Sequence, residues 1–66
     1  MDKCVVVITE CEQGELTLAS LECVEEGREI ADRLDAKVQA ILCGSALEPL
    51  AGTLAAHGAD QVTLVE

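Results

Sequence analysis

Lys3 and Thr9 bracket the run C-V-V-V-I, in which all five residues from Cys4 to Ile8 are apolar and four are β-branched. A strand with one face in water alternates apolar and polar side chains. An unbroken apolar run is instead the pattern of a parallel strand covered on both faces. Such a strand demands a sheet with one layer above it and another below. A chain of 66 residues is short for supplying both.

A domain near this size buries only about 60% of the surface its unfolded chain exposes. Half of the residues are hydrophobic, but Phe, Tyr and Trp are absent. The core must be built from Val, Leu, Ile and Ala, without the large area an aromatic ring brings. Small scaffolds of this kind usually rely on a disulfide, a metal or a partner. The net charge is −9, thirteen acids against four bases. This excludes nucleic acid and anionic membrane surfaces as partners, since both need a positive face, and the missing aromatics remove stacking platforms as well. What remains is an acidic solvated surface, or a rim that steers a basic partner. No apolar run approaches the roughly 18 residues of a membrane span. Met1-Asp2-Lys3 leads straight into strand with no signal-peptide h-region. The expected location is the cytoplasm, or the mitochondrial matrix after processing of a longer precursor.

After the first strand, Thr9 to Ala19 reads T-E-C-E-Q-G-E-L-T-L-A, with a turn signal at Gln13-Gly14 and a short extended piece at Leu16-Thr17-Leu18. The loop exceeds the usual connection of about 2–6 residues in an α/β unit. It holds one glycine and no basic residue. It therefore lacks the glycines with which G-x-G-x-x-G or G-x-x-x-x-G-K-[ST] loops cradle phosphate.

Ser20 is placed to cap a first helix from Leu21 to Leu34. Leu21, Val24, Gly27, Ala31 and Leu34, flanked by Cys23 and Ile30, form an apolar stripe at helical spacing. Glu22, Glu25 and Glu26 fall in the first turns, where the helix dipole favours negative charge. Arg28–Asp32 and Glu29–Arg33 are opposite-charge pairs one turn apart. Nothing converges on these carboxylates, which marks a solvated face rather than acid–base machinery. Gly27 costs about 1 kcal/mol against Ala in a helix interior, so its presence predicts close packing on the sheet.

Lys37 to Cys43, K-V-Q-A-I-L-C, reads as a second strand ending at Gly44. Ser45 and Glu48 carry the spacing of a capping box, and Pro49 sits in the first turn, where its missing N–H matters least. Leu47, Leu50, Ala51, Leu54 and Ala55 supply a buried face, and Gly58 is a natural stop. His57 falls in the last turn as a helix-end residue, not a ligand or base. Gln61 to Val65 alternates and reads as a third strand nearer an edge.

Strand, helix, strand, helix, strand is a βαβαβ unit: an α/β fold, half of a doubly wound Rossmann-like parallel sheet, with three strands and two helices. Right-handed crossovers stepping in one direction place both helices on one side of the sheet. The opposite face of Val5 to Ile8 is then expected to be bare and the outer side of the first strand unpaired. Residues 1–66 read as an incomplete domain that something else must cover.

Cys4, Cys11, Cys23 and Cys43 include no C-x-x-C, so zinc, iron–sulfur and thioredoxin-type sites lack their local geometry. Cys4 and Cys43 fall at opposite ends of parallel strands. Cys11 and Cys43 both follow carboxyl ends of neighbouring strands and are open to a bridge, although buried free thiols acting as small hydrophobes are the simpler expectation.

With these pieces in place, nearly the whole chain resembles the N-terminal part of the electron transfer flavoprotein α subunit. The resemblance rests on the opening strand, Gly14-Glu15-Leu16, Ser20-Leu21-Glu22, Arg28-Glu29-Ile30-Ala31 with Leu34, and the strand ending at Gly44. It rests most on the closing Leu54-Ala55-Ala56-His57-Gly58-Ala59-Asp60-Gln61-Val62, with its G-A-D turn before the last strand. His57 stands where that family commonly has an aromatic. The resemblance implies the first part of a Rossmann-like domain, related to the adenine-nucleotide α-hydrolase type, which packs against a β-type subunit. It implies FAD held mainly by a separate C-terminal domain of the α subunit, outside these residues, and electrons passing from a dehydrogenase through FAD to an acceptor. No catalytic, cofactor-binding or metal-ligating residue is then expected in this chain. It would be scaffold and interface, not an enzyme. Two other readings compete. One is a small dimeric adenine-nucleotide-binding protein of universal-stress type, for which only Gly44-Ser45 offers a phosphate contact. The other is a thiol redox protein using Cys11 and Cys43.

Overall fold

The structure, a computed structural model, describes residues 3–66. The reading of Met1 and Asp2 as leading straight into strand lies outside the described residues. The elements are β1 (Cys4–Thr9), β2 (Cys11–Glu12), β3 (Glu15–Leu16), α1 (Leu18–Leu34), β4 (Lys37–Cys43), α2 (Glu48–Ala56) and β5 (Gln61–Val65). Strands β1, β4 and β5 form one parallel sheet in that spatial order, so both crossovers step in the same direction. This is the α/β half-sheet the sequence predicts, with β4 in the middle and β5 at an edge.

Register and alternation sort the strand residues into two faces. Val7 lies beside Ala40 and Ala40 beside Val62, while Thr9, Leu42 and Leu64 form the next row. Val24 and Ala31 from α1, with Leu47 and Leu54 from the α2 region, join Val7, Val38, Ala40 and Leu42 in one core cluster on that face. Both helices therefore lie on one side. Leu42, Leu47 and Leu54 are fully buried, each stabilising by about 1.5–3 kcal/mol. Gly27 fits the expectation of close approach, because a Cβ there would lie 2.8 Å from Val7 Cγ2. The other face is bare: Val6 is 53% exposed and Ile8 66%.

Four local expectations are corrected. The expected extended piece at Leu16-Thr17-Leu18 is shifted: β3 is Glu15–Leu16, paired antiparallel with β2 around the expected turn at Gln13 and Gly14, while Thr17 and Leu18 form the helix start. Helix α1 begins three residues early because Thr17, not Ser20, is its cap: the Thr17 hydroxyl accepts the Ser20 N–H at 3.1 Å. That start also moves Glu22, Glu25 and Glu26 out of the first turn. The capping box at Ser45 and Glu48 is not made. Ala46 takes a left-handed φ of 55°, Leu47 drops into the core, and Leu47 becomes the cap with no side-chain bond. Of the two expected i,i+4 pairs, Arg28–Asp32 closes at 2.8 Å, while Glu29–Arg33 does not close among the described residues.

The end of α2 follows its sequence signal. Gly58, at φ 128°, donates its N–H to Ala55 O at 3.1 Å, and Ala59 donates to Leu54 O at 3.2 Å. These are the two bonds of a Schellman stop.

Candidate functional site

In open α/β sheets, ligands bind beyond the carboxyl ends of the strands. Here that end is occupied by the protein's own hydrogen bonds. The Thr9 hydroxyl, nearly buried, donates to Ile41 O at 2.8 Å. Ser20 Oγ accepts the Glu10 N–H at 2.7 Å and the Thr17 hydroxyl at 2.9 Å, and donates to Glu10 O at 3.3 Å. Thr17 N–H also reaches Glu10 O, and Gly44 N–H reaches Val65 O. A single serine thus pins the strand end, the hairpin and the helix start together.

Charge works against an anion at the same end. Glu10, Glu12 and Glu15 surround the hairpin, Glu48 opens α2 and Glu66 follows β5. The cations lie at the opposite end. Lys3 and Lys37 are at the amino ends of β1 and β4, and Arg28 and Arg33 are in the second half of α1. A phosphate beyond the carboxyl ends would meet carboxylates and already bonded amides. That geometry does not favour nucleotide binding there, and the Gly44 N–H is already taken by Val65 O.

The thiols are corrected in one respect. Cys4, Cys23 and Cys43 are exposed and Cys11 half-buried, and all four are free. The expected buried packing role holds in part for Cys11, which packs against the core, and fails for the other three, because Cys4 and Cys43 lie on the bare face of the sheet and Cys23 on the flank of α1 beside β1. Among the described residues no group of three or more His, Cys, Asp or Glu side chains is placed to hold a metal ion. His57 Nδ1 sits 2.7 Å from Glu25 Oε2, tying the end of α2 to α1.

Arg28 and Asp60 form the most connected polar group. Arg28 reaches Asp60 Oδ2 at 2.9 Å, Asp32 Oδ1 at 2.8 Å, Gly58 O at 3.2 Å and Ala36 O at 3.3 Å. Asp60 Oδ2 also accepts the Val38 N–H at 2.8 Å. The Val38 N–H, then the Arg28 guanidinium, hold the Asp60 carboxyl below the ordinary carboxylate range, and the bond to Asp60 raises Arg28 further. Both groups serve the fold and carry no reactive geometry.

The open surface is the outer edge of β1. A hollow of about 330 Å³ runs along it, lined by Val5 to Ile8 on the strand and by Cys23, Glu26, Gly27 and Ile30 on α1. Ile30 is 46% exposed. Sequence spacing assigns Cys23 and Ile30 to the flanks of a buried stripe. The structure leaves them beside the outer edge of β1, which pairs with no strand among the described residues. The signal was in the width of the stripe, which is more than a single covered sheet face needs.

This exposed apolar edge is what comparison with known proteins has to explain. The family model described as the electron transfer flavoprotein domain matches residues 5–66. The chain belongs to the electron transfer flavoprotein domain family. It is 45% identical over 64 residues to the protein FixB of Clostridium saccharobutylicum, covering 97% of this chain and 19% of that protein. It is 40% identical over 60 residues to the electron transfer flavoprotein subunit alpha of Clostridium acetobutylicum, covering 91% and 18%. Against the Anaerotignum propionicum acryloyl-CoA reductase electron transfer subunit beta, identity is 38% over 58 residues, covering 85% and 16%. The chain thus spans about a fifth of the length of the relatives it matches. The matched family is the one whose α subunit the sequence resembles. No helix among the described residues is long and apolar enough to cross a membrane.

Proposed function

We propose that this chain is a structural and interaction segment of an electron transfer flavoprotein α-type subunit. It supports an FAD-containing complex that carries electrons from a dehydrogenase to an acceptor. The observation that carries this reading is the bare β1 side of a half-sheet in a chain that matches a flavoprotein subunit family. Residues 1–66 are the first part of a Rossmann-like domain that the remainder of the subunit and a β-type subunit complete. The chain contributes packing and no catalytic, cofactor-binding or metal-ligating residue.

Support for placing FAD outside these residues comes from charge and composition. The acidic carboxyl ends of the strands do not fit a flavin diphosphate, and no aromatic side chain is present to stack on an isoalloxazine. The chemistry of the cofactor, hydride and single-electron transfer, then belongs to the rest of the assembly.

The test is native mass spectrometry with a visible absorption spectrum on the protein isolated from its own cells. A larger assembly with the two-band spectrum of oxidised flavin is expected. A colourless homodimer that gains thermal stability with ATP or AMP overturns the reading, because stabilisation by a ligand reports binding to the folded state.

A further inference from the structure

We propose that the groove between the β2–β3 hairpin and helices α1 and α2 docks a basic amphipathic helix of another protein. An apolar side chain of that helix seats on Leu16, Leu21 and Leu50, and its lysines or arginines meet the glutamates of the rim. This goes beyond the subunit reading, which uses the bare face of the sheet and the outer side of β1.

Three elements build the groove. The hairpin is held down at its base, where Thr17 N–H reaches Glu10 O at 3.1 Å and the Ser20 hydroxyl takes the Glu10 N–H. Leu16 from β3 is thereby brought beside Leu21 from α1 and Leu50 from α2, around a hollow of about 280 Å³ that Glu15 and Thr53 complete. The three leucines are half-buried. Leu16 and Leu50 also pack against the core, which fixes their exposed parts in place. Leu18, one turn before Leu21 on α1, is 71% exposed and extends the apolar surface. The hollow is smaller than the roughly 300–1,000 Å³ of small-molecule sites. It suits one anchoring side chain of a protein partner.

Charge selects a cationic occupant. Glu12 and Glu15 stand directly opposite each other on the hairpin, both exposed, and like charges in that relation repel. Glu22 follows Leu21, and Glu48 opens α2 two positions before Leu50. Among the described residues none of these four carboxylates is in an ion pair. The acidic line continues along α1, where Glu22, Glu25, Glu26 and Glu29 border a second hollow. Leucines on the floor and acids on the rim match a helix with one apolar stripe and cations on either side of it. A second copy would bring the same acidic rim and a net charge of −9, and an anionic ligand or membrane would be repelled by it. The groove lies on the helix side of the sheet, so covering the bare face leaves it open. A contact this small belongs with transient partners, steered by charge and weakened by salt.

The experiment uses the protein isolated from its own cells and washed at about 1 M salt, which strips a partner held by charge. The probe is a fluorescein-labelled helix of about 18 residues, or five turns, made of leucine, alanine and lysine with the leucines on one face. Fluorescence anisotropy at low salt is expected to show saturable one-to-one binding. Replacing the probe's leucines with serine should weaken it at least ~10-fold, and a probe with glutamate in place of lysine should not bind. Thr53→Arg, which fills the groove from an exposed position, should also weaken binding at least ~10-fold. Glu15→Lys should weaken binding while raising the melting temperature, because it removes the Glu12–Glu15 repulsion, and this separates docking from folding. Absence of saturable binding overturns the proposal. So does equal binding of the serine probe, which reports charge attraction alone. Binding unchanged by Thr53→Arg and Glu15→Lys places the probe elsewhere and overturns it as well. Whether flavin copurifies with the chain is read separately, so the subunit reading stands or falls independently of these outcomes.

Discussion

Arg28 Nη1 lies 2.9 Å from Asp60 Oδ2 and joins the middle of α1 to the turn before β5 across 32 positions of sequence. Asp60 also accepts the Val38 N–H and donates its own N–H to Val38 O, each at 2.8 Å. One carboxylate thereby aligns the start of β4 with the start of β5, and one guanidinium holds both to the helix. Asp60 titrates below its ordinary value because the folded state bonds its charged form. Its contribution to stability is therefore complete above the unfolded pKa, near 4, and is lost as pH falls through the lower folded value. Asp60→Asn is expected to lower the melting temperature at pH 7 and to flatten the loss of stability on acidification below about pH 4. Thermal unfolding as a function of pH checks both.

At Gly27 two terms of opposite sign compete. Alanine gains about 1 kcal/mol of helix propensity, but its Cβ would stand 2.8 Å from Val7 Cγ2. Val7 is β-branched and held in the sheet, so it cannot swing aside, and overpacking costs about 1–3 kcal/mol. The two terms together leave Gly27→Ala destabilising by up to about 2 kcal/mol. Urea unfolding measures it, with trimethylamine N-oxide present to hold a marginal domain folded.

The parts of this fold that sequence makes legible are those where a local signal and the tertiary fold agree. The C-V-V-V-I run, Lys37 to Cys43, and Gly58 after an amphipathic stretch each specify an element by their own chemistry. The capping signals were less readable because Ser and Thr compete for the same few N–H groups. Thr17 and Ser20 are both good caps, and the choice is made by Glu10, whose amide takes the Ser20 hydroxyl from another part of the chain. Ser45 and Glu48 match a capping box locally, but burial of Leu47 sets the backbone there. The Arg28–Asp60 pair has no local signature at all, since its spacing is fixed only once the sheet has formed. The candidate surface was half legible. The bare face and the open outer side of β1 follow from counting layers and crossovers, whereas the exposure of Ile30 depends on how α1 sits over that edge.

The Ser20 hydroxyl, on a residue only 5% exposed, is shared among Glu10 N–H, Glu10 O and the Thr17 hydroxyl. Ser20→Ala removes the acceptor of a partly buried N–H that has no other partner among the described residues. The expected cost is about 1–3 kcal/mol, against a near-neutral change at the exposed Ala19. Amide exchange of Glu10 should accelerate in the variant even under conditions where the core stays folded.

Adjacent residues on β1 separate stability from assembly. Val7 points into the core and is 8% exposed, while Ile8 points to the bare face and is 66% exposed. Val7→Ala deletes buried methyl groups and is expected to cost about 1.5–3 kcal/mol. Ile8→Thr keeps the β-branch that suits a strand and removes apolar area that nothing in this chain covers, so it should change stability by no more than about 0.5 kcal/mol. In the proposed assembly the order is expected to reverse. There Ile8 would anchor the partner, and its truncation should weaken association by about 1–2 kcal/mol, roughly 5–30-fold. Urea unfolding of the two variants, set beside the amount of flavin that copurifies with each, reads both quantities. Equal flavin recovery with Ile8→Thr and the natural chain would show that this face stays in water in the complex.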